Sequence, residues 1–392
     1  MFITYWYGPP REFTNQEVYN DVKEAGFTVA GPMECSGYSV EENMKFLDVC
    51  EANGLKACVF DKRMSHAIKM YQSGEDGWAV PIVEMIDDYK NHPALSSYYV
   101  FDEPNSSLFK MLGEIVALIK EHDPEHPGYI NLFPNYATNE QLGNESYYEH
   151  VKQYIEIVKP AFVSYDHYHF LHFAQNELPD GVEETDNDRE NAIRHSAMIN
   201  VDRPGFFENL EIVRELSIEY NLPFMVIVLL IQHGPYRNVT ESELRFEAFQ
   251  AMAYGAKMLS FFTYWTVIEP GSWWNWQNGC ISCEGEKLQH YYDVSKVNKD
   301  LHVYGSYLEN QDSIKVEHFN KNGVSFTVGN FTNGYVAVAN RDFNKESYFK
   351  ISDVIKEAKE ICVFDVASGD FRSAENDAVM VGPGDMLLLK YC

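Results

Sequence analysis

Basic residues are scarce in this 392-residue chain: 31 Lys and Arg stand against 59 Asp and Glu, a formal charge of −28. A surface of that sign repels a phosphate backbone and an anionic bilayer face, so nucleic acid and membrane are not expected partners. Long apolar runs are missing as well. None reaches the roughly 20 residues that span a bilayer, and the segment after Met1 reads as a strand rather than a charged region followed by an apolar one. As written, the sequence predicts a cytoplasmic protein, or a secreted one whose leader has been removed. Cysteine is sparse and odd in number, seven scattered residues, which suggests reduced thiols rather than a disulfide framework. Cys280 and Cys283 form a CxxC with no second Cys/His pair at zinc-finger spacing.

Several catalytic signatures are also absent. There is no GxSxG elbow, no HExxH and no glycine-rich phosphate turn after an early strand, which argues against a serine hydrolase, a zincin and a doubly wound nucleotide-binding sheet. No low-complexity tract or sustained heptad pattern points to disorder or coiled coil.

What is present is alternation. Eight short apolar runs, each followed by turn residues and then a helical pattern, start at Phe2, Phe27, Leu55, Ser96, Gly128, Ala161, Pro223 and Ala256. Between them, "SVEENMKFLDVCEANG" ends on Gly54 where a left-handed cap belongs, and "ESELRFEAFQAMAYG" repeats apolar residues at i, i+3 and i+4. Eight such units predict the α/β class and a (β/α)8 TIM barrel. After about Glu309 the texture changes to short alternating strands, which predicts a small C-terminal β-sandwich over residues 310–392, following a barrel over 1–309. The acidic stretch "NELPDGVEETDNDREN", between the sixth and seventh strands, reads as a solvated loop or lid.

In a barrel of this kind, catalytic groups come from the C-terminal ends of the strands. The fourth run, "SSYYVFDEPNSS", stops at Asp102 and Glu103. A desolvated glutamate there would hold its proton at neutral pH and serve as a general acid; the plainer alternative is a turn carboxylate capping the next helix. On the sixth run, "FVSYDHYHF" presents Asp166 beside Tyr165, His167, Tyr168 and His169. Asp166 is the leading candidate for a second carboxylate, nucleophile or base, against the alternative that it merely orients His167. Asp102, His167, Trp6, Glu34, Asp61, Asn135, Gln232, His233, Tyr264 and Trp265 are further strand-end candidates for gripping a sugar. Trp273, Trp274 and Trp276 add aromatic faces on the last loop, where Glu269 is a spare carboxylate. His167 and His169 with Asp61 form a weaker zinc-ligand alternative, so no metal is assigned.

The stretch "HPALSSYYVFDEPN" resembles the fourth strand of clan A glycoside hydrolases, which ends in Asn-Glu-Pro with the Glu as acid/base; Asp102 here replaces the asparagine. "AMAYGAKMLSFFTYW" resembles the eighth-strand region of β-galactosidase-like members, and "PGDMLLLK" their C-terminal domains. The resemblance implies a glycoside hydrolase acting on an oligosaccharide or glycoside without a cofactor, with Glu103 as acid/base. It breaks at the seventh strand, where the clan places its nucleophilic glutamate and this chain has "VIVLLIQHGPY". Three readings follow: a relocated partner carboxylate, a substrate-assisted N-acetylhexosaminidase-type hydrolase using Asp102 and Glu103, or a non-catalytic carbohydrate-binding barrel. The sequence leaves the oligomeric state open.

Overall fold

The computed structural model describes residues 1–31, 37–174, 198–321, 323–355, 360–366, 368–374 and 377–391. All eight anticipated runs are parallel strands. They are β1 (Phe2–Trp6), β2 (Val29–Ala30), β3 (Lys56–Val59), β4 (Leu95–Asp102), β5 (Gly128–Asn131), β6 (Val163–Asp166), β9 (Phe224–Leu229) and β10 (Met258–Phe262). One unforeseen antiparallel pair follows β6: β7 (Phe170–Ala174) and β8 (Met198–Asp202). The parallel strands form two four-stranded sheets, ordered β1-β10-β9-β6 and β2-β3-β4-β5. Between the sheets, Leu132 N–H donates to Ser164 O at 2.8 Å and Thr28 N–H to Ile3 O at 2.9 Å. Gly31, just past β2, is required by this close approach, because a Cβ there would lie 1.7 Å from the Tyr5 carbonyl oxygen.

The helices outside the strands start where side chains satisfy their first N–H groups. Ser39 with Glu42, and Thr240 with Glu243, close capping boxes on helices Val40–Ala52 and Glu241–Ala253. The second helix reads as amphipathic but is buried almost all round. The residues after Glu309 explain this, because they cover its outer face.

Those residues form a six-stranded antiparallel sheet, β11 (Ser313–Lys321), β12 (Val324–Phe331), β13 (Tyr335–Asn340), β18 (Met386–Tyr391), β15 (Ile361–Asp365) and β16 (Asp370–Ser373), in that order. A two-stranded sheet, β14 (Ser347–Lys350) with β17 (Ala378–Val381), lies apart from it in pairing. Period-2 alternation divides β13: Val336 and Val338 join Phe349 and Val381 in one apolar cluster, while Ala337 and Ala339 join the main core. Gly329 lets β12 rest on the helix end, where a Cβ would come within 2.0 Å of Ala253 O. Tyr304 Oη donates to Met386 O at 2.8 Å, and Gln250 Nε2 to Asn340 O at 3.1 Å.

Small side chains occupy part of the space between the parallel strands. Thr4, Cys58, Ser97 and Ser260 line a cavity of about 180 Å³, with Trp6 and Tyr129 towards the C-terminal strand ends and Phe2, Phe162 and Met258 towards the N-terminal ones. Cys50, Cys58, Cys280 and Cys283 are free thiols; Cys362 is disulfide-bonded, which corrects the expectation of reduced thiols. Burial holds the Cys280 thiol well above its ordinary pKa, so the CxxC has no ready thiolate there. No described helix is long and apolar enough to cross a membrane.

Candidate active site

β4 delivers two carboxylates because its geometry is irregular. Opposite β5, Tyr99 pairs with Tyr129 and Phe101 with Ile130, which leaves Val100 as an extra residue. This bulge sets Asp102, rather than Phe101, opposite the inward-facing Asn131. The next residue, Glu103, has φ 46°, a left-handed conformation rare outside glycine, while its N–H still donates to Asn131 O at 2.8 Å. The turn brings Glu103 to the same side as Asp102, whereas a regular strand would have sent it to the opposite face.

Asp166, the last residue of β6, completes the cluster. Asn131 Nδ2 donates to Asp166 Oδ1 at 2.9 Å and to Asp102 Oδ1 at 3.2 Å, and its Oδ1 accepts from Ser164 Oγ at 2.8 Å. Asp166 is buried, Glu103 half-buried, and Asp102 exposed within its recess. Desolvation, then the negative charges of Asp166 and Asp102, raise the Glu103 carboxyl far above the usual range, and it hydrogen-bonds Asp166. Desolvation and Asp102 raise Asp166 too, opposed by the hydrogen bonds from Asn131 and Glu103. Glu103 therefore holds a proton against Asp166. Crowding by protein atoms pushes Asp102 up to about 6, a shift tempered by the water that reaches it. None of the three makes an ion pair among the described residues.

Aromatic and basic groups border this cluster. The phenols of Tyr136, Tyr168 and Tyr236 all feel the charge of Asp166. Phe262 packs on Tyr168 with ring centroids 5.1 Å apart, and His233 stacks on Trp276 at 4.4 Å. Arg203, just past β8, lies with its guanidinium carbon 3.8 Å over the Tyr136 ring.

The remaining candidates scatter. Asp61 caps helix Lys62–Ser73, pairs with Arg63 at 2.8 Å and accepts from Tyr89 Oη at 2.6 Å. Asn135 donates to Gly205 O, and its backbone N–H to Asn209 Oδ1, as a loop brace. His167 alternates away from Asp166, buried with Nδ1 3.2 Å from Asn209 Oδ1, and burial lowers its pKa to about 3. Its ring lies 6.4 Å from that of His169, and Asp61 is committed elsewhere, so no zinc set forms from these residues. Tyr264 and Trp265 are fully buried, stacked on Tyr5 and tilted against Phe13 respectively. Trp6 is buried under the site, edge-on to Tyr99. Gln232 pairs with Gln277 through its backbone and accepts from Asn278 at 3.0 Å. Glu269 is exposed and accepts from Trp276 Nε1 at 2.9 Å, on the loop surface. Glu34 and the acidic stretch 176–191 lie outside the described residues.

Sequence reasoning missed Asn131, Tyr136, Tyr236 and Arg203. Alternation along β5 could have found Asn131, since it sits two residues beyond the inward Tyr129. Arg203 and Tyr236 are placed by the unforeseen β7–β8 excursion, and nothing local marked them.

No protein-family model and no curated protein sequence matches this chain. Solved structures do match in fold. A glycoside hydrolase family 5 protein from Bacteroides vulgatus aligns over 99% of this chain and 88% of its own, at 10% identity and TM-score 0.58. A family 39 glycoside hydrolase from Bacteroides cellulosilyticus aligns over 100% and 80%, at 10% identity and TM-score 0.55. A β-galactosidase from Marinomonas ef1 aligns over 79% of this chain at 11% identity and TM-score 0.53, and the chain spans only 62% of that enzyme's length. At such identities the likeness is one of fold: this chain shares the mixed α/β, parallel-stranded architecture of solved glycoside hydrolases.

Proposed function

We propose that the protein is a glycoside hydrolase whose parallel strands close into a (β/α)8 barrel over residues 1–309, capped by a β-sandwich over 310–392. The observation that carries the reading is the meeting of Glu103 and Asp166 at the ends of parallel strands β4 and β6, beside aromatic rings and around Asn131, where burial and mutual charge favour a proton on Glu103. Glu103 gives that proton to the glycosidic oxygen as the C1–O bond breaks. Asp166, relieved of its partner's proton, attacks C1 or takes a proton from the incoming water. Retaining pairs stand about 5–5.5 Å apart and inverting pairs about 6.5–9.5 Å. A sugar entering between the two carboxyls sets which of these separations applies.

Asp102 favours a second reading. Its one side-chain hydrogen bond among the described residues is from Asn131 and it faces solvent, free to take the N–H of a 2-acetamido group whose carbonyl oxygen attacks C1. Trials with 4-nitrophenyl hexosides and N-acetylhexosaminides separate the two. In the first reading Glu103→Gln and Asp166→Asn each lower turnover about 10²–10⁴-fold. Turnover of N-acetylhexosaminides alone, abolished by Asp102→Ala, favours the second. Sugar binding without turnover of any glycoside would leave a non-catalytic carbohydrate-binding barrel.

A further inference from the structure

We propose that Arg203 forms an anion-reading subsite beside the carboxylate cluster, which selects a uronic acid over the corresponding neutral sugar; this inference rests on the carbohydrate reading above. The guanidinium is held flat over Tyr136, its carbon 3.8 Å from the ring centroid and 5.7 Å from that of Tyr236. Nε donates to Tyr168 O at 3.1 Å, and Nη2 reaches Tyr236 Oη at 3.4 Å. Stacking and these two bonds fix the plane of the fork and leave the other N–H groups without a partner among the described residues. In a chain where acids outnumber bases nearly two to one, an arginine with no carboxylate partner among the described residues is unusual. Arg341 is the other described case, and it lies on Phe207 away from the cluster.

Arg203 is tied to the site by three side chains. Tyr136 and Tyr236 feel Asp166 and the guanidinium together, and Tyr168, whose carbonyl anchors Nε, also feels Asp166. A sugar seated against Asp166 and Glu103 therefore shares the wall formed by Tyr136, Tyr168 and Tyr236 with a planar, permanently charged fork. Such a fork matches a carboxylate through two parallel hydrogen bonds, which a hydroxymethyl group cannot supply. Asp166 and Asp102 oppose a bound anion, so the fork has to outweigh them through its two parallel hydrogen bonds.

Calorimetric titration of the full chain with galacturonate against galactose, and with glucuronate against glucose, tests this without requiring turnover. The expected result is at least tenfold tighter binding of one uronate than of its neutral counterpart, weakening with added salt. Arg203→Gln brings that ratio to within about twofold, while Arg203→Lys, which keeps charge but loses the fork, retains part of it. Equal affinity for acid and neutral sugars in the wild type, or a full tenfold preference surviving in Arg203→Gln, overturns the proposal. A uronate preference without hydrolysis of any aryl glycoside would sink the hydrolase reading and leave this one standing.

Discussion

Asp102 and Asp166 share one amide, Glu103 leans on Asp166, and none of the three meets a cation among the described residues, an arrangement that works against folding. A carboxyl whose folded pKa is raised stabilises the native state only at low pH, and that contribution is lost as pH climbs through the folded pKa. For Asp102 the window lies between its ordinary value and about 6; for Glu103 and Asp166 it extends upward from the ordinary carboxylate range. Asp166→Asn, which keeps the shape and removes a charge, should therefore raise stability by about 1–3 kcal/mol at pH 8 and by less at pH 5. Urea unfolding at the two pH values checks this, and equal gains at both would contradict the charge argument. The same residue should be costly to turnover, so gain in stability and loss in rate should coincide. At this scale the sequence was legible where side chains alternate simply. Asp166 lay at a strand end as expected, whereas His167, expected to hold the sugar, follows the same alternation to the other face. Asp102 and Glu103 were legible as residues but not in direction, because a bulge and one left-handed φ, neither marked by glycine, decide where they point.

The strands themselves were legible because each is a short apolar run closed by turn residues, and the eight parallel ones start within a few residues of the runs read from the sequence. β2 is only two residues long, since Gly31 follows it directly against β1. Gly31→Ala should be among the most damaging small substitutions in the chain, costing more than about 3 kcal/mol, because the obstructing atom is a backbone oxygen 1.7 Å away. Soluble yield and thermal denaturation measure it; Gly54→Ala, with open space around it but a positive φ, serves as the milder control. The β7–β8 pair was not legible, because its strands pair across an intervening stretch rich in acids, where the pattern reads as loop. Another element, the loop after β10, is pinned by paired backbones at Gln232 and Gln277 and by Trp276 on His233. Removing its indole with Trp276→Ala should raise KM several-fold with a smaller change in kcat, as expected of a binding face rather than a reacting group.

Across the whole molecule, the chain after Glu309 is continuous with the main core. Phe331, Ala337, Ala339, Met386 and Leu388 pack in the same apolar cluster as the parallel strands and their helices, and Arg245 bridges to Asp300 and Asp385. A chain ending at Glu309 should therefore expose apolar surface on helix Glu241–Ala253, bind a hydrophobic dye and precipitate. A monomeric truncation that stays soluble with wild-type thermal stability would show the later residues to be dispensable. The small residues inside the parallel strands have a different consequence. The part of this space of about 180 Å³ that water does not fill is lost when the chain unfolds, which lowers the volume of the unfolded protein in water relative to the folded one. Hydrostatic compression should then unfold this protein more readily than its thermal stability alone would suggest, and Ser260→Val, which places two methyl groups into the space, should make it more resistant to pressure.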